Sequence, residues 1–234
     1  VSIAVMVVLI AILTPSLMSA HEAARRVRCA AHIQQVGYAI HMYADDMQDR
    51  LPPADYRPDN EATTNSDRTP TPPWSNDTIM VRFESLTPGS RPIPGGASVT
   101  WDGLGILFAQ QYVGNQAALY CPSHHGRHDY SRYKDEWVES YGPIACNYQY
   151  RVPPASPFLS ELNSWVAIMA DGMATKTDYN HRIGNNYLRI DSSVAWYADD
   201  DGSLLRSLPD DPETAVHQNG NGENWHYLDQ PFKD

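Results

Sequence analysis

Cysteine is scarce in this chain: three in 234 residues, an odd number that leaves one unpaired within the chain. No Cys-x-x-Cys-His occurs, which excludes a c-type haem carrier at the level of motif. Gly-x-Ser-x-Gly, a Walker loop and His-Glu-x-x-His are also missing, so no nucleophile elbow, phosphate cradle or zinc-protease helix announces an enzyme. Positive charge is short as well. Lys+Arg 17 against Asp+Glu 28 gives a net charge of -11, which argues against a general nucleic-acid binder and suits solubility and divalent cations. Eighteen Pro and fourteen Gly imply many turns and long loops in place of a helix bundle.

Glycine is nonetheless missing from the first 36 residues, and Ser2 is the only polar residue before Thr14. Val1 to about Met47 therefore reads as one helix of about 45 residues, roughly 70 Å long. Its two halves follow different rules. Val1, Ile3, Val5, Val7, Val8, Leu9, Ile10, Ile12, Leu13 and, past Pro15, Leu17 make it apolar on every side, as in a helix surrounded by lipid or by other helices. Beyond it, Cys29, Ile33, Val36, Ile40, Tyr43 and Met47 are spaced four, three, four, three and four, a stripe that faces a folded core. Cys29 reads there as a small buried apolar residue. Pro15 predicts a kink or local melting, and Asp49-Arg50-Leu51-Pro52-Pro53 ends the helix. Val1–Met18 covers about 27 Å, just short of a bilayer's hydrocarbon. The chain starts without Met and without a basic residue ahead of the apolar run, which predicts a processed or incompletely known N-terminus, with a signal peptide as the other reading. Arg25, Arg26 and Arg28 follow, either as a positive-inside signal or as a solvated helix face.

A short apolar N-terminus, a proline about a third of the way along, then AARRVRC, QQVGYAIHMYADD and LPPA in that order resemble type IV pilin-like proteins and type II secretion pseudopilins. The resemblance is to the planctomycete-type group with a prepilin N-terminus and a C-terminal His-x9-Asp-Gly motif. It implies an inner-membrane anchor that later packs in the core of a helical filament. Asn180 and His181 with Asp191 keep the motif's spacing, and Ser192 stands where the group has Gly. These residues read as structural, His181 donating a ring N–H and Asp191 forming the turn between strands expected at Tyr187–Ile190 and Ser193–Tyr197. Related pseudopilins hold a calcium in C-terminal loops. Asp199, Asp200 and Asp201 before Gly202 invite that reading or a tight acidic turn, and no Glu stands at the twelfth position from Asp199 as an EF-hand requires.

Between these landmarks, residues 52–98 read as a loop-rich insertion, with Asn76-Asp77-Thr78 fitting a glycosylation acceptor. A short helix is predicted from Leu104 to about Tyr112, and strands around Cys146 and over Trp165–Ala170. Cys121 and Cys146 flank one excursion, and a disulfide between them in an oxidising exterior would stabilise by roughly 3 kcal/mol. His124, His125 and His128 with Asp129 form either a solvated loop or a metal cluster, which would need tetrahedral convergence that spacing alone does not supply.

The expected architecture is α+β and pilin-like. Residues 1–50 form the helix, its assembly or membrane part being 1–18 and its amphipathic part 19–50, and residues 51–234 form a head with an antiparallel sheet. The expected function is a non-enzymatic structural subunit of an exported, type IV pilus-like or pseudopilus-like filament of identical copies. It would sit in the inner membrane before the pilus or secretion assembly machinery moves it to the cell surface. No cofactor is expected beyond a structural calcium, and no nucleic acid. The alternative is a monomeric membrane-anchored binding protein or metal-dependent enzyme using His124, His125 and His128 or His181 and Asp191.

Overall fold

A computed structural model describes residues 2–54, 76–85, 91–92, 98–139, 142–153, 155–210 and 223–229. Val1 and the side chain of Val5 lie outside the described residues, as do much of the 52–98 insertion and the segments 211–222 and 230–234. Helix α1 runs unbroken over Ser2–Asp46. The melting expected at Pro15 does not occur: the helix continues through it, and the Thr14 hydroxyl donates to the Ile10 carbonyl at 2.7 Å on the preceding turn. The helix stops three residues before Asp49, where Gln48 and Asp49 adopt positive φ and the Asp49 N–H turns back to the Ala44 carbonyl.

Among the described residues seven strands follow: β1 (Asn76–Ser85), β2 (Arg91–Pro92), β3 (Ser98–Trp101), β4 (Ile144–Val152), β5 (Ala167–Asp171), β6 (Gly184–Arg189) and β7 (Val194–Ala198). Every pairing is antiparallel, and the order across the sheet is β2-β3-β1-β4-β5-β6-β7. Short helices α2 (Leu104–Ala109), α3 (Tyr130–Tyr133) and α4 (Glu136–Glu139) lie between β3 and β4, and α5 (Ser203–Ser207) follows β7. The expected α+β, pilin-like arrangement is the observed one. Two strands, β1 and β2, arise inside the stretch read as loop and β3 begins at its last residue; Asn76-Asp77-Thr78 opens β1, paired with Val152, Arg151 and Tyr150 of β4. A buried Arg at position 82 obscured the alternation there; its guanidinium donates to the carbonyls of Gly142 and Glu136.

The stripe on α1 lies against one face of the sheet. Cys29, Ile33, Val36, Ile40 and Tyr43 are buried in a core shared with Leu104, Leu107, Tyr148, Tyr150, Met169 and Leu188. Met47, expected to complete the stripe, falls past the helix end and is exposed by 36 %. Gly37 lets the helix approach β6 closely, since a Cβ there would meet Leu188 Cδ1 at 2.7 Å. Because side chains alternate along a strand, Tyr187 next to Leu188 points the other way. It joins a second cluster with Met173, Tyr179, Leu204, Leu208, Trp225 and Leu228 that covers the opposite face with the C-terminal segment.

Candidate functional site

Two features invite a functional reading, and both belong to α1. The first is its N-terminal part. The large apolar residues described there, Ile3 to Met18, are exposed by between 54 % (Leu9) and 78 % (Ile3). A window of this helix is apolar enough to cross a membrane, and none of it is buried. Helix α1 thus leaves its own head and presents bare hydrocarbon, which water does not tolerate at this extent.

The second feature begins where the head does. A series of polar contacts runs up the docked half of α1. Glu22 accepts from Ser123 Oγ at 3.0 Å, and the Arg26 guanidinium lies 3.4 Å above the Trp196 ring. His32 meets the Tyr120 carbonyl at 3.1 Å, Gln34 donates to the Ser192 carbonyl at 2.6 Å, and His41 meets the Ile190 carbonyl at 2.9 Å. The contacts of Arg26, Gln34 and His41 fix the helix against β7 and the β6–β7 turn, and those of Glu22 and His32 fix it against the segment that carries Tyr120 and Ser123. Of the three arginines after the apolar run, Arg26 is therefore committed to the head, while Arg25 and Arg28 face outward.

At the centre of this seam four side chains from distant parts of the sequence converge. Cys29 comes from α1, Cys121 from the segment after the 3-10 turn Gln116–Leu119, Asp171 from the end of β5, and His181 from the loop before β6. All four are buried, and their ligand-type atoms lie within 4.8 Å of one another. The Cys29 thiol donates to Asp171 Oδ1 at 2.7 Å. His181 Nε2 is 3.3 Å from Asp171 Oδ2 and 3.5 Å from Cys121 Sγ, while Nδ1 on the far side of the ring is 2.7 Å from Glu22 Oε1. Around them, the Asn186 N–H donates to Asp171 Oδ2 at 2.9 Å, and the Ser123 N–H points at Cys121 Sγ at 3.4 Å.

The electrostatics follow from this crowding. Burial pushes the Cys29 and Cys121 thiols up, and the Asp171 charge adds to the effect. Burial also opposes charge on His181 and on Asp171, yet each is the other's strongest partner. Asp171, with help from Cys29 and Glu22, pushes His181 up to about 10, and His181 holds the Asp171 carboxyl below its usual range.

Several sequence expectations meet this geometry differently. The three cysteines are unbonded, and the partner near Cys121 is Cys29; Cys146 instead donates its thiol to the Tyr148 carbonyl on its own strand at 3.2 Å. His181 does not reach Asp191. Strand β6 lies between them, and six residues of extended chain span about 20 Å. Asp191 sits in the β6–β7 turn as expected, accepting the Ser193 N–H at 2.9 Å, and Ser192 adopts φ 65° where the family pattern has Gly. Asn180 lies beside the cluster, its amide 3.3 Å from the Asn147 carbonyl.

The remaining candidates fall elsewhere. Asp199 is buried, with its oxygens accepting the N–H groups of Leu204 (3.0 Å) and Leu205 (2.9 Å), and Asp201 caps Ser203; Asp200 is exposed. These bonds start α5, as a tight acidic turn does. His124 and His128 are drawn inward, His124 Nε2 accepting the His128 N–H at 3.1 Å and lying 3.7 Å from Asp178 Oδ1, while His125 faces outward and Asp129 caps α3. Sequence reading missed Glu22 and Asp171 as partners of His181. The signal for Glu22 was present: Glu22 and Arg26 extend the stripe's spacing, four then three, over the two turns before Cys29, but both are charged and an apolar template passes over them.

Residues 18–164 match the family model described as "Protein of unknown function (DUF1559)". The chain belongs to the DUF1559 family. This is, broadly, the pilin-like group that its N-terminal motifs resemble. No curated protein and no solved structure matches the chain. The DUF1559 match takes in Cys29 and Cys121 and ends before Asp171, His181 and the His-x9-Asp spacing.

Proposed function

We propose that this DUF1559 chain is a non-catalytic structural subunit of an exported type IV pilus-like or pseudopilus-like filament. The observation that carries this reading is the division of α1. Its docked half is locked to the head by a core and a ladder of hydrogen bonds, while the large apolar residues of Ile3–Met18 are exposed and find no partner among the described residues. Each Leu, Ile or Val removed from water there contributes roughly 1.5–3 kcal/mol, so lateral packing of several copies supplies the assembly energy. Contacts from one side of a helix to a different side of the next do not close, and they generate a helical polymer. Tyr38 and Met42, exposed on the outer side of the docked half, extend the apolar surface toward a neighbouring head. Before assembly the same run holds the chain in the inner membrane, from which the pilus or secretion machinery extracts it to the cell surface. Nucleic acid has no place in this scheme.

Electron microscopy of the full chain after slow detergent removal tests the proposal. Filaments with a core of parallel helices are the expected result. Dispersed monomers in micelles or liposomes, with no polymer at any concentration, would favour a membrane-anchored monomer and overturn it.

A further inference from the structure

We propose that Cys29, Cys121, Asp171 and His181 form a structural zinc site that pins α1 to the head, an inference independent of whether the chain polymerises. The donor set decides the metal. Two thiols, an imidazole and one carboxylate suit a borderline-soft ion that accepts four ligands tetrahedrally, whereas calcium and magnesium require shells of oxygen. The spacing fits too. With zinc–ligand bonds of about 2.0–2.3 Å, tetrahedral neighbours stand roughly 3.3–3.8 Å apart. His181 Nε2 lies 3.3 Å from Asp171 Oδ2 and 3.5 Å from Cys121 Sγ, with all four donors inside 4.8 Å.

The surroundings are those of a metal shell. A histidine bound to zinc through one ring nitrogen donates the other N–H to a carboxylate, which fixes its orientation. His181 presents Nε2 to the cluster and Nδ1 to Glu22 Oε1 at 2.7 Å. The Ser123 N–H aimed at Cys121 Sγ and the Asn186 N–H aimed at Asp171 Oδ2 favour the ionised ligands. A disulfide between Cys29 and Cys121 would use neither the imidazole nor the carboxylate that converge on the two sulfurs. Four protein ligands leave no open position, so the ion is structural and not catalytic. On binding, both thiols and His181 Nε2 give up their protons to solvent and the ion takes their place among the donors, while Nδ1–H stays directed at Glu22.

The test uses the full chain purified in detergent without chelator or reductant. Elemental analysis is expected to find one zinc per chain. Replacement by cobalt should give tetrahedral visible bands and a thiolate charge-transfer band in the near ultraviolet. Cys121→Ser should abolish both signals. Glu22→Gln keeps every ligand, and it should weaken zinc affinity about 10–100-fold in a chelator competition. Wild-type protein that holds no zinc and gives no thiolate–cobalt band would overturn the proposal. So would a Cys29–Cys121 disulfide, seen as the loss of two hydrogens and a linked peptide in mass spectrometry. Should Cys121→Ser fail to fold, the wild-type metal content, the cobalt spectrum and the Glu22→Gln competition still decide.

Discussion

His124 and His128 show how a single residue's surroundings set a pH limit on this head. Burial is the main cause that lowers both imidazoles below the ordinary histidine range, against the opposing pull of Asp178. The folded state therefore keeps them neutral while the unfolded chain takes up protons below about pH 6.5. Stability contributed by these residues is present above that pH and is lost as pH falls toward their folded values. Thermal denaturation between pH 7.5 and 5.5 should show the wild type losing Tm more steeply than His128→Gln; equal slopes would contradict this. Asp171 offers a second test at the same scale. It is fully buried and receives the Cys29 thiol, the Asn186 N–H and His181, so Asp171→Ala should cost about 3–5 kcal/mol in denaturant unfolding. His124 and His128 stood out in the sequence as part of a histidine cluster; Asp171 did not. Local patterning cannot show that β4 and β6 flank β5 and carry Asp171 against α1.

Elements were more legible than sites, for a physical reason. The four-three spacing from Cys29 to Tyr43 is a direct consequence of helix geometry, and the structure buries each of those positions. Strands around Cys146 and after Trp165 were legible from runs of β-branched and aromatic residues. What hid β1 was a charged side chain at a buried register position and flanking segments rich in Pro, Asn and Gly. His181 and Asp191 stand at opposite ends of β6, and constant spacing in sequence says nothing about an intervening strand. Close approach of elements leads to a sharp prediction at Gly105. A Cβ placed there would lie 1.9 Å from the Val81 carbonyl oxygen, a backbone atom that cannot move aside as a flexible side chain would. Gly105→Ala should therefore separate α2 from β1 and destabilise by about 1–3 kcal/mol. A guanidinium midpoint equal to that of the wild type would show that the two elements are looser than drawn here.

At the scale of the whole molecule, helix α1 divides the chain: among the described residues its contacts with the head begin at Glu22, and the large apolar residues of its rod, Ile3–Met18, are exposed. The head's contacts with α1 start at Glu22 and Arg26, so deleting residues 2–18 should leave near-ultraviolet circular dichroism and Tm unchanged and yield a monomer soluble without detergent. A truncated chain that unfolds would mean that the rod supports the head. The central claim is that the rod is sheltered by other copies of itself. It is tested most directly by placing a photo-crosslinking side chain at Ile10, exposed by 64 %, and irradiating the assembled full-length chain. The account predicts a ladder of covalent multimers whose linked peptides join one apolar run to another. Adducts to lipid alone, or to the head of the same chain, would contradict it.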